Sequence, residues 1–75
     1  MKLKITNTNF TTNYDWLFKL SDENGDDFYI MNEHFYKNRH LKSPVTRKEL
    51  DYFDKGQWVN ANAEVIDGLN VIIGL

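Results

Sequence analysis

The chain opens with Leu3 and Ile5 alternating against Lys2, Lys4 and Thr6, the period-two pattern of a strand with one buried face. Phe10 breaks that parity. A bulge near Asn7–Asn9 would restore it and let the strand bend. Thr11-Thr12-Asn13 then reads as a turn. A second strand, Tyr14 to Ser21, sets Trp16, Phe18 and Leu20 against Asp15, Leu17 and Lys19, and a third covers Asp27 to Glu33.

Loop length decides which faces meet in a hairpin, because a slip of one residue exchanges whole faces. Between the second and third strands, Asp22 suits the first position of a type I turn and Gly25 its fourth. A three-residue loop with Gly25 left-handed places Leu20 opposite Phe28 and Phe18 opposite Ile30. The last hairpin is read the same way. Ile66-Asp67-Gly68 as a three-residue loop sets Val65, Ala63, Ala61 and Val59 against Leu69, Val71, Ile73 and Leu75, an entirely apolar surface. Trp58 and Ile72 then point outward. A two-residue Asp-Gly loop would pair Glu64 with Val71 instead.

One helix signal stands between these hairpins. Thr46 and Glu49 have the spacing of a capping box, and Val45 and Leu50 that of a hydrophobic staple. Pro44 keeps the preceding segment extended. The pattern predicts a short helix over 47–54 that buries Leu50 and Phe53 and stops near Lys55-Gly56. Tyr36 to Ser43 carries no periodicity and reads as a basic loop.

At 75 residues there is room for one domain, 1–75. The 15% aromatic content can fill a small core, and the absence of cysteine excludes disulfides and thiolate metal sites. That absence, the lack of a bilayer-length apolar run and a polar–apolar start unlike a signal peptide predict a cytoplasmic protein with no membrane partner. Net charge is −2, which argues against indiscriminate nucleic-acid binding over the whole surface. The charges are segregated, however. Asp22, Glu23, Asp26 and Asp27 form an acidic end, whereas Lys37, Arg39, Lys42, Arg47 and Lys48 form a basic stretch free of acids.

The order β-β-β-α-β-β resembles that of OB-fold domains, the oligonucleotide/oligosaccharide-binding barrels. Lys55-Gly56-Gln57-Trp58-Val59, then Ala61, Glu64 and Val65, then Asp67-Gly68 and Val71-Ile72, is similar to the closing strands of small bacterial members. An SH3-like barrel is the competing fold, but its helical turn precedes a single last strand rather than two. The expected architecture is mainly β, a five-stranded OB-like barrel with one short helix.

The resemblance implies a ligand face on strands two and three, where Leu17, Lys19, Tyr29 and Met31 point outward. Aromatic rings there can stack on bases while cations follow phosphates. The candidate nucleic-acid contacts are Lys19, Tyr29, Met31, Lys37, Arg39 and Lys42, the last three in the basic stretch 37–48, which reads equally as a solvated loop. Trp58 and Ile72 are candidate contacts for a protein partner or a second copy. Trp58 is either such a ring or one covered by the helix or the preceding loop.

Enzymatic chemistry finds no footing. Ser21 and Ser43 have no evident base, the paired carboxylates sit in an exposed turn, and no glycine-rich phosphate loop is present. Asp22-x-Asn24-x-Asp26 lacks the glycine and glutamate of a calcium loop, and His34 and His40 lack partners at zinc spacing. The expectation is a binding module without a cofactor. Weak binding of single-stranded DNA or RNA is the first reading, and a protein-interaction or accessory module of the small phage or plasmid type is the second.

Overall fold

The computed structural model describes residues 1–9 and 15–75. Phe10, the turn at Thr11-Thr12-Asn13 and the strand start at Tyr14 fall outside the described residues. Leu3 and Ile5 are buried and Lys2 and Lys4 exposed, so the opening alternation forms strand β1, Lys2–Thr8. The strands that follow are β2 (Trp16–Ser21), β3 (Asp27–Met31), β4 (Trp58–Asn60), β5 (Asn62–Ile66) and β6 (Leu69–Gly74). They form one curled, barrel-like sheet in the order β4-β1-β2-β3-β6-β5. All described pairings are antiparallel except β3 with β6, which run parallel with Tyr29 opposite Val71.

The mainly β class holds, with six strands among the described residues in place of five. The expected fourth strand is split at Ala61. Its first half pairs with β1 and its second with β6, so one buried residue joins the two ends of the sheet. Ala61 and Met1 exchange backbone hydrogen bonds at 2.8 and 3.0 Å, which fixes the corner where the chain passes from β4 to β5. A small side chain suits so close a crossing.

The first hairpin has the register expected from its sequence. Leu20 faces Phe28, Phe18 faces Ile30, and Gly25 is left-handed at φ 83°. Asp22 also ties the loop, its carboxylate accepting from the amides of Asn24 and Asp26 at 2.9 Å each. The last hairpin corrects the reading. Asp67 and Gly68, at φ 52° and 79°, form a two-residue loop, with Ile66 opposite Leu69, Glu64 opposite Val71 and Ala63 opposite Ile72. Two successive left-handed residues match the twist of the flanking strands, and Asp-Gly is among the pairs that adopt them most readily.

This register follows from where β6 lies. Flanked by β3 and β5, it is buried on both faces: Ile72 enters the inner core and Val71 an outer cluster. Strands covered on both sides carry continuous apolar runs, so the apolar count alone could not choose a face. The inner core gathers Leu3, Ile5, Phe18, Leu20, Phe28, Ile30, Val45, Ala61 and Ile72. The outer cluster holds Met31, Tyr36 and Val71, flanked by Trp16, Tyr29, Phe35 and Ile66.

Two short helices cover these clusters. Helix α1, Glu33–Lys37, replaces the start of the expected basic loop, with the Asn32 side chain accepting from the Glu33 amide at 3.1 Å. Arg47–Tyr52 is a 3-10 helix, shorter than the expected 47–54. The capping box does not close reciprocally. The Glu49 amide bonds to the Thr46 carbonyl at 3.0 Å, an i-to-i+3 link, while the Thr46 hydroxyl donates to the Glu49 carboxylate. Leu50 and Phe53 nevertheless pack on the inner core, Phe53 edge-on to Phe18 with centroids 5.7 Å apart. Among the described residues no helix is long and apolar enough to cross a membrane.

Candidate functional site

A bulge in β2 creates the aromatic part of the site. Trp16 pairs with Met31 and Phe18 with Ile30, which leaves Leu17 as the extra residue on the bulged strand. The strict alternation that grouped Trp16 with Phe18 and Leu20 is thereby broken. Phe18 and Leu20 enter the inner core, Leu17 packs at its margin, and Trp16 joins Tyr29 on the outer face. The Trp16 and Tyr29 rings lie 6.1 Å apart, tilted by 54°, and each is half-buried. Lys19 sits directly opposite Tyr29, its ammonium 3.6 Å from the Asp27 carboxylate. Two adjacent rings with a cation beside them are the elements of a base-stacking platform.

Met31 contributes no surface to this platform. It is 3% exposed beneath α1, a correction to its outward placement. The cover is Tyr36, fully buried, whose hydroxyl accepts from the Met31 amide at 3.1 Å and donates to the Ile72 carbonyl at 2.7 Å. The hydroxyl thus bridges β3 and β6 beyond their Tyr29–Val71 pairing. Burial pushes its pKa up to about 12, with the Met31 amide pulling the other way.

The basic stretch divides into separate roles. Lys37 lies exposed in the last turn of α1. Arg39 stacks over the Phe35 ring at 3.7 Å, donates to the Phe35 carbonyl and pairs with Asp67, clamping the end of α1 to the last hairpin. An arginine held by three groups has little left to offer a phosphate. Lys42, Arg47 and Lys48 line an open groove of about 750 Å³ with Glu33, Ser43 and Val45. Arg47 lies 3.6 Å from Glu33, and three cations against one acid leave the groove positive. The groove shares no lining residue with the Trp16–Tyr29 pair; α1 stands between the two features, Glu33 on one and Phe35 on the other.

The two candidate partner contacts separate as well. Trp58 points outward, since its neighbour Val59 pairs with the buried Leu3, and half of its surface is open. Ile72 is fully buried in the inner core and presents nothing to a partner; the two-residue hairpin loop turned it inward. Reasoning from sequence missed Trp16, whose position depends on the bulge, and the exposed Lys4, which lies directly opposite Trp58. The signal for Lys4 was present in the alternation of β1. Among the described residues no three His, Asp or Glu side chains gather where they could hold a metal ion. No protein-family model, curated protein or solved structure matches the chain.

Proposed function

We propose that the protein is an OB-like, non-enzymatic module that binds single-stranded DNA or RNA weakly, through the outer face of β2 and β3. The observation that carries this reading is the Trp16–Tyr29 pair with Lys19 beside it. Each stacked base contributes about 1–3 kcal/mol, so two rings support affinities in the weak range without base-edge readout. The topology supports the OB-like assignment: β4 pairs with β1, β5 follows it through Ala61 and pairs with β6, and β6 runs parallel to β3. Lys42, Arg47 and Lys48 supply an electrostatic margin at the neighbouring groove.

Titration with a mixed-sequence single-stranded oligonucleotide at low salt, followed by amide resonances, tests the reading. Shifts should concentrate at Trp16, Lys19 and Tyr29. An unchanged spectrum overturns it. A protein-interaction module is the second reading, favoured by Val65, 73% exposed on the outermost strand β5. Binding there would respond little to salt, whereas phosphate contacts weaken steeply as salt rises.

A further inference from the structure

We propose that a bound single strand runs crosswise over β3, β2, β1 and β4, from the Trp16–Tyr29 pair to a second stacking platform at Trp58. This inference rests on the nucleic-acid reading above and extends it along the same outer surface to β1 and β4, which that reading does not use.

The register places the pieces. Trp58 on β4 is the cross-strand partner of Lys4 on β1, and Lys4 in turn faces Ser21 on β2. Lys19, two residues before Ser21, faces Tyr29 on β3. All of these side chains leave the same surface of the sheet, because their neighbours Leu3, Ile5, Leu20 and Phe28 fill the inner core. The two aromatic positions are therefore three strand spacings apart and offset by two residues along the strands, roughly 16 Å in all, with Lys4 and Lys19 between them. A mononucleotide cannot cover that distance, whereas several linked nucleotides can.

Charge identifies the occupant. Lys2 and Lys4 are exposed and form no ion pair among the described residues, and they stand two positions apart on the same face of β1. Half of the Trp58 surface is exposed next to them, and no described ring stacks on it. An anionic chain that carries flat rings fits both halves of this surface. A purely apolar partner would leave the two ammonium groups without a counter-charge.

The intact chain has two tryptophans, so its two indole N–H resonances report the two platforms separately, and Trp58→Phe assigns them. With an oligothymidylate of eight nucleotides, both indoles should shift with one common midpoint, while thymidine monophosphate should not shift them together. Lys4→Ala, on an exposed strand position, should weaken octamer binding about threefold to tenfold. It should also reduce the slope of log K against log salt by about 0.7, the contribution of one phosphate contact on a single strand. If the Trp16 indole responds and the Trp58 indole does not, the crossing is overturned and the β2–β3 site stands. If neither responds, the nucleic-acid reading fails and this inference with it. A Trp58 response at a different midpoint from that of Trp16 also overturns a single continuous track.

Discussion

Tyr36 shows how much one hydroxyl can hold. Its ring fills the outer cluster, and its oxygen answers the Met31 amide and the Ile72 carbonyl, two groups on neighbouring strands buried away from solvent. Tyr36→Phe keeps the ring and removes both bonds, so urea unfolding should show a loss of about 1–3 kcal/mol. The pH dependence carries a sign. The folded-state pKa, near 12, stands above the ordinary value of 10.0, so the native state holds this proton more tightly than the unfolded chain does. The stabilisation is complete below pH 10 and is lost as pH rises toward 12. Each tenfold difference in proton affinity between the two states is worth about 1.4 kcal/mol, so the loss is on the order of 2–3 kcal/mol. The gap between parent and Tyr36→Phe should thus stay constant below pH 10 and narrow above it. A gap that persists unchanged to pH 12 would show that the folded state holds this proton no more tightly than the unfolded chain does.

The two hairpins make a matched pair of tests, because each loop depends on left-handed residues for a different geometry. A Cβ placed on Gly25 or Gly68 meets nothing within 4 Å, so substitution by alanine is opposed by backbone conformation rather than by crowding. Gly25→Ala and Gly68→Ala should each cost about 1–2 kcal/mol in thermal or urea unfolding. Asp67 separates turn formation from charge. Asp67→Asn retains a residue that accepts the left-handed conformation and loses the ion pair with Arg39, so it should fall within about 1 kcal/mol of the parent, whereas Asp67→Ala should cost more. Equal losses for the two would place the role of Asp67 in the ion pair. The same contrast explains what the sequence could reveal. In the first hairpin the inward positions are all apolar while the outward ones mix Lys19, Ser21 and Asp27 with Tyr29 and Met31, so Phe18, Leu20, Phe28 and Ile30 announce their register. In the second, β6 is apolar on both faces, and maximising apolar pairs selected the wrong one; Asp67-Gly68 and the run Val71-Ile72-Ile73 held the better signal. Helix α1 escaped notice because five residues give no periodicity, although Asn32 before Glu33 is a cap. At the candidate site Lys19 and Tyr29 were readable from alternation, whereas Trp16 was not, since one bulged residue reverses its side.

At the scale of the whole molecule, the acidic cluster of the sequence falls on the turn between β2 and β3 and on the first residue of β3. The loop between β2 and β3 carries Glu23 and Asp26, both exposed, at one end of the proposed face; Asp27 follows and already engages Lys19. An anionic strand approaching Lys4 and Lys19 meets that loop as a repulsive boundary, which limits affinity and sets the direction in which the strand can leave the sheet. Neither side chain supports the turn, whose bonds run through the Asp22 carboxylate and the backbone. Glu23→Gln with Asp26→Asn therefore removes two charges and leaves the fold unchanged. Oligonucleotide affinity should rise about twofold to fivefold at low salt. The gain should vanish as ionic strength approaches 1 M, where the screening length contracts to about 3 Å. Asp27→Asn should act differently: it frees the Lys19 ammonium for a phosphate, so its effect should appear as a steeper salt slope, by about 0.7, as well as a tighter complex. If the loop substitutions and Asp27→Asn change affinity equally, with the same salt slope, then Lys19 makes no phosphate contact and the charge of this end acts only at long range.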